Sequence, residues 1–218
     1  IVWSRSKKNY KDIEKLGATT CQNLTDLADK CQIIIMMLFD DKICMQITNR
    51  LKNKLKQGQI LVDMSSTKKK TSIKIEKNIK SRKAYFLDAP VSGGTVGAEK
   101  AKLAIMAGGK RRIFNKVKNL LSTMGKVTYV GKTGSGQIAK LANQAIVGIT
   151  IGAVSEALIL AKAAGANPKA VREAIKTGFA GSPILENHGN RILNSNFKPG
   201  GKCSTQLKDM KNIIETAR

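Results

Sequence analysis

The chain has 218 residues, 42% of them apolar and only 4% aromatic, and its 39 Lys and Arg against 15 Asp and Glu give a formal charge of +24. A chain of this length buries a real core in one or two domains, and the composition fits a globular α/β protein. Such a charge raises nucleic-acid binding. However, the lysines are spread along the chain among Asn and Ile, with no Arg-rich block, no aromatic interleaving and no zinc-finger spacing. Specific nucleic-acid binding is therefore not expected, although phosphate attraction follows from charge alone.

Cys21, Cys31, Cys44 and Cys203 form no Cys-x-x-Cys pair and His188 is the one histidine, so no metal is expected and a reducing compartment is implied. No signal peptide is expected, since the chain starts with Ile1-Val2-Trp3 and turns basic. The apolar run 145–155 reads as too short to span a bilayer and then meets Glu156. A soluble protein of the cytoplasm, or of an organelle, with no membrane partner is expected.

In chain order, residues 1–3 read as a strand already under way, followed by a basic helix at 9–16, a turn at 17–20 and a short helix at 23–29. The continuous apolar run 33–39 has the mark of a strand buried on both faces of a parallel sheet. A helix at 42–55 leads to a second such strand, 59–63, after which Ser65-Ser66-Thr67 cap a very basic helix. Strands at 84–88, 103–109 and 126–130 follow, with a helix at 113–124. Strands alternating with helices imply βαβ units, and ligands of such sheets bind beyond the strands' C-terminal ends, where Ser66, Ser92 and Gly93 fall. From residue 136 onward the pattern is helical only: 137–164, 169–177, 184–193 capped by Ser182, and a last helix opening at Lys208.

The stretch from Gly131 to Gln144 organises the rest. Its glycines and hydroxyl residues open the long apolar helix, with Ser135 as the expected N-cap. Only Lys140 and Glu156 are charged between 137 and 161. Burying a lone ammonium unpaired is costly, so Lys140 must reach solvent or sit in a polar pocket. Asn143 and Gln144 stand three and four residues on, and share its helix face.

Three motifs in order carry a family likeness: Asp88-Ala89-Pro90-Val91-Ser92-Gly93-Gly94; Gly131-Lys132-Thr133-Gly134-Ser135-Gly136 with Lys140 and Asn143; and Phe197-Lys198-Pro199-Gly200 with Lys208-Asp209. Along its whole length the chain resembles the β-hydroxyacid dehydrogenases of the 3-hydroxyisobutyrate dehydrogenase type, and within them the tartronate semialdehyde reductases. The resemblance implies a Rossmann-type α/β domain over 1–132 and an all-helical domain over 133–218 that opens with a long interdomain helix. It implies hydride transfer between NADP(H) and a short carboxylated semialdehyde or 3-hydroxyacid, such as tartronate semialdehyde to glycerate, in a homo-oligomer.

By the same resemblance Lys140 is the acid–base, and Ser92, Gly93, Gly94, Asn143 and Gln144 hold the substrate. Met37, Leu38, Phe39, Ser66 and Lys208 lie along the cofactor, with Phe39 replacing a proline common there. Arg5 falls just after the second strand, where an Arg suits a 2′-phosphate and an acid suits the ribose of NAD; NADP is expected, with NAD as the second candidate. The first strand with its Gly-x-Gly-x-x-Gly turn, and the family's closing helices, are absent from these 218 residues. A fragment is thus expected, binding nucleotide weakly and inactive by itself. The rival reading is an impaired dehydrogenase serving as a scaffold or basic nucleic-acid-binding module.

Overall fold

Short apolar runs bounded by turn residues become the strands of the first of two compact units, residues 1–140. A computed structural model describes residues 1–217. In order the first unit contains α1 (Tyr10–Lys15), α2 (Asp26–Lys30), β1 (Ile33–Met36), α3 (Asp41–Lys52), β2 (Ile60–Asp63), α4 (Lys69–Lys80), β3 (Tyr85–Asp88), β4 (Val91–Ser92), α5 (Gly94–Glu99), β5 (Leu103–Gly109), α6 (Arg111–Ser122) and β6 (Gly125–Gly131).

Strands β1, β2 and β3 are parallel neighbours, in register from Ile33 opposite Ile60 and Ile60 opposite Tyr85. The sheet then departs from the wholly parallel pattern. β5 meets β3 antiparallel at Leu87 and Asp88, β4 folds back antiparallel on β5, and β6 runs parallel to β5. Alternation along β2 divides the core. Leu61 faces a cluster with Cys44, Leu51, Ile75 and Ile79 from α3 and α4, whereas Ile60 and Val62 face Ile113, Phe114, Val117 and Leu121 of α6. Both faces are covered, which is why these strands read as unbroken apolar runs.

The second unit takes up the chain from residue 141. Helix α7 (Ser135–Ala163) runs into it, followed by α8 (Pro168–Ile175), a π-helical turn Leu185–Gly189, α9 (Asn190–Leu193) and α10 (Cys203–Ala217). Pro168 at the start of α8 and the Asn167 side chain accepting from Lys169 N at 3.0 Å fix where that helix begins. Val154 and Leu158 of α7 pack on Leu185 to form its small core.

Several local expectations shift. Residues 1–3 contribute a single parallel bridge, Val2 to Thr20, rather than a strand. Ser135 is itself helical, with its N–H given to Lys132 O, and so does not cap α7. At the start of α4 the Asp41 carboxylate accepts from Lys68 N at 2.9 Å, an acceptor from outside the 65–67 segment. Helix α10 begins five residues before Lys208. At 29 residues, α7 is long and apolar enough by length and composition to cross a membrane, which the shorter run 145–155 was not. The polar residues Gln137, Lys140, Asn143 and Gln144 belong to the same helix.

Candidate active site

The C-terminal ends of β2 and β3 are tied together by the first turn of α7. β3 delivers Asp88, fully buried, whose carboxylate accepts from Gly134 N at 2.7 Å and Gln137 N at 3.0 Å. A carboxylate there satisfies N–H groups that a helix start leaves unpaired, and meets the positive end of the macrodipole. Glycine is required at two places by close approach. A Cβ on Gly136 would stand 2.3 Å from Met106 O and 2.8 Å from Asp88 Oδ2, and one on Gly108 would stand 2.7 Å from Gly136 N. Helix and sheet meet backbone to backbone.

Gln137, with no exposed surface, extends the tie to the segment after β2. Its amide accepts from Thr67 N at 2.9 Å and donates to Ser65 O at 2.8 Å. Ser65 in turn accepts from Leu38 N at 2.8 Å through Oγ, and its own N–H reaches Asp63 Oδ1 at 3.0 Å. The chain at Leu38 and on both sides of Ser66 is thereby held in place. Met37 and Phe39 flank Leu38 with exposed side chains, Ser66 is half-buried, and Arg5 is exposed.

Lys140 lies one turn beyond Gln137 on α7 and is buried, 8% exposed. Among the described residues it is the one lysine in a buried position. The ordinary place for a lysine is a stem along the surface with its head in water. Ser92 is half-buried at the end of β4, and Gly93 and Gly94 follow it with φ of 138° and 62°, the left-handed region. A Cβ on Gly94 would meet nothing within 4 Å, so the backbone there is open.

In the second unit the amide of Asn143 donates to Gln144 Oε1 at 3.0 Å. Gln144 donates to Asp209 Oδ2 at 2.9 Å, and Asp209 is also paired at 3.1 Å with Lys208 Nζ. Lys208 and Gln144 therefore converge on one buried carboxylate, a linkage the sequence did not reveal. A Cβ on Gly148 would stand 2.7 Å from Gln206 Nε2, which shows how closely α10 packs on α7.

Asp63, Asp88, Gln137 and Asp209 carry no site role in the sequence reading, although Asp88 and Asp209 stand within its motifs. Asp63 and Asp88 look like strand ends. The available signal was an unaccompanied helix start, which demands an acceptor from elsewhere.

Burial pushes both carboxylates up, Asp63 to about 6 and Asp88 to about 6, against the N–H donors that lower them. Burial, with Asp63 adding to it, pushes the Cys44 thiol up to about 12, which leaves it protonated and without nucleophilic use. The raised carboxyl values have a defined sign. Each group favours the fold most below its unfolded pKa near 4, and that contribution is lost as pH rises through about 6. Asp63→Asn is accordingly expected to melt higher than the parent at pH 8 and about level with it near pH 4, a difference of roughly 1–3 kcal/mol. Thermal melts of the two proteins across that range check it, and an equal offset at both ends would contradict it.

Residues 1–131 match the family model described as the NAD binding domain of 6-phosphogluconate dehydrogenase, and residues 134–218 match that described as NAD-binding of NADP-dependent 3-hydroxyisobutyrate dehydrogenase. The chain is 38% identical over 212 residues to 2-hydroxy-3-oxopropionate reductase of Escherichia coli, covering 95% of this chain and 72% of that protein. It is 32% identical to 2-(hydroxymethyl)glutarate dehydrogenase of Eubacterium barkeri, covering 96% of this chain and 71% of that one. In fold it follows 3-hydroxyisobutyrate dehydrogenase of Mycobacterium tuberculosis, with a TM-score of 0.87 at 22% identity over 98% of this chain and 76% of that chain. With a family model spanning more than half the chain and a relative this similar along nearly its full length, the chain belongs to the β-hydroxyacid dehydrogenase family of NAD(P)-dependent oxidoreductases.

Proposed function

We propose that this protein reduces a short carboxylated semialdehyde with NADPH, tartronate semialdehyde to glycerate in the first instance, with Lys140 as the acid–base. The observation that carries this reading is the burial of Lys140 one turn beyond the Asp88 and Gln137 anchor, in a chain that otherwise keeps its lysines at least partly exposed. A buried ammonium is costly unless its site supplies polar partners, so a buried lysine marks a built site.

The nicotinamide nucleotide, when bound, supplies the hydride for the aldehyde carbon. Lys140 gives a proton from Nζ to the carbonyl oxygen as it becomes a hydroxyl; in the oxidative direction the neutral amine takes that proton back. Asn143 and Gln144 hold the reacting oxygen or the substrate carboxylate, and Asp209 fixes the Gln144 amide for that purpose. The N–H groups of Ser92, Gly93 and Gly94 face the carboxylate, since side-chain-free backbone of positive φ admits an anion closely.

The residues fit a dinucleotide. Exposed Met37 and Phe39 on a pinned Leu38 offer an apolar edge at the end of β1, and Ser66 is held beside it by the Ser65 and Thr67 tethers. Arg5 suits the 2′-phosphate of NADP over the bare ribose of NAD, and Lys208 is the cofactor-facing cation of the helical part. In this reading residues 1–132 bind nucleotide and 133–218 form the helical domain. The exposed Ile146, Ile149, Ile159 and Leu160 of α7 support a homo-oligomer, acting on small acids in the cytoplasm.

Steady-state rates with NADPH and NADH, each against tartronate and succinate semialdehyde, test the proposal on the full-length gene product. The pair NADPH and tartronate semialdehyde is expected to give the highest kcat/KM. A folded protein that turns over none of the four pairs would favour the scaffold reading instead.

A further inference from the structure

At the opposite end of β3 from Asp88, around its first residue, lies a cavity of about 730 Å³. Lys77 and Lys80 of α4, Lys83 of the following turn, and Lys110 and Arg112 at the start of α6 line it. A second hollow of about 430 Å³ adjoins it, sharing Ile73, Glu76 and Lys110 and adding Arg111 and Lys132. The two together carry seven cations and one carboxylate, Glu76, whereas the whole chain has 39 to 15.

Helix polarity sharpens the point. Lys77 and Lys80 stand in the last turns of α4, where cations are favoured. Lys110, Arg111 and Arg112 stand at the first turn of α6, a 12-residue helix, where cations are opposed by the macrodipole and acids are preferred. That turn has no acid and its cap residue, Lys110, gives no side-chain hydrogen bond. Among the described residues no ion pair engages the five cations of the larger cavity. The arginines are nonetheless fixed: Arg112 lies 4.7 Å from the ring centre of Tyr85 and donates to its hydroxyl at 2.7 Å, and Arg111 lies 3.8 Å from that of Tyr129. Stacking holds the guanidinium planes in place and leaves further N–H donors unused.

We propose that this double hollow binds a small anion carrying two or more phosphate groups. Its cations come from α4, the start of α6 and the turns that follow α4 and β6, too widely spread for one phosphate, and its concave form suits a compact ligand better than a nucleic-acid duplex. An anion seated at α6 turns the opposed cations into a favourable arrangement, since the free N–H groups and the positive helix end then act with them.

Titration calorimetry of the intact protein with inorganic tripolyphosphate, at physiological ionic strength, tests this. Saturable binding is expected, about tenfold or more tighter than for orthophosphate. Lys110→Asp is expected to weaken it about tenfold or more, whereas Lys116→Asp, an equal charge change on α6 outside the hollows, changes it less than about twofold. Lys110→Asp also installs a favoured cap, so without ligand it is expected to melt above the parent. Should that variant fail to fold, Lys80→Ala, at an exposed position, is expected to weaken tripolyphosphate binding in its place. Equal weakening by Lys116→Asp, no saturation by tripolyphosphate, or tighter binding of a short DNA duplex with no dependence on Lys110 would each overturn the proposal.

Discussion

Lys140→Ala is expected to lower kcat for semialdehyde reduction by about 10²–10⁴, the range over which a positioned general acid acts, while leaving the fold intact. The fold survives because Asp88 and Gln137 tie α7 to the sheet. Binding and chemistry separate in this variant. Nucleotide affinity, followed by fluorescence of bound NADPH, should change little, so that kcat and kcat/KM fall together, the signature of an interaction made in the transition state. A variant that lost NADPH affinity in proportion to its rate would place Lys140 in nucleotide binding instead.

Gly136→Ala is expected to destabilise the protein by about 3 kcal/mol, at the upper end of the cost of overpacking, and to lower the melting temperature by roughly 6–12 °C. The added methyl meets Met106 O at 2.3 Å and Asp88 O at 2.9 Å, backbone atoms that cannot rotate away. Gly152→Ala, on the same helix, is expected to have the opposite sign. Nothing lies within 4 Å of its Cβ, and Ala in a helix interior is favoured over Gly by about 1 kcal/mol. Thermal melts of the two variants beside the parent decide the matter; equal effects would show that helix propensity, not approach to the sheet, governs the glycines of α7.

The alternating pattern made the first unit legible, because strands covered on both faces must be apolar throughout, as Ile60 to Val62 are. The reversal of β5 relative to β3 was not legible, since an apolar strand has no direction written in its composition. Capping was misread at α7, and at both α4 and α7 an acceptor comes from elsewhere in the chain. Nearby Ser and Thr are the usual acceptors, but here acids distant in sequence, Asp41 and Asp88, supply them. Lys140 stood out because it was a lone cation in an apolar helix. Asp209 did not, because its meaning lies in Gln144, 65 residues earlier.

The most direct measurement of the central claim follows the hydride itself. NADPH deuterated at its transferable nicotinamide position is incubated with tartronate semialdehyde and the full-length gene product, and the glycerate is analysed by mass spectrometry. The account predicts one deuterium on the carbon that was the aldehyde, one product formed per nucleotide oxidised, and a strongly reduced yield with Lys140→Ala. Glycerate without deuterium, or none at all from a folded protein that binds NADPH, would contradict it.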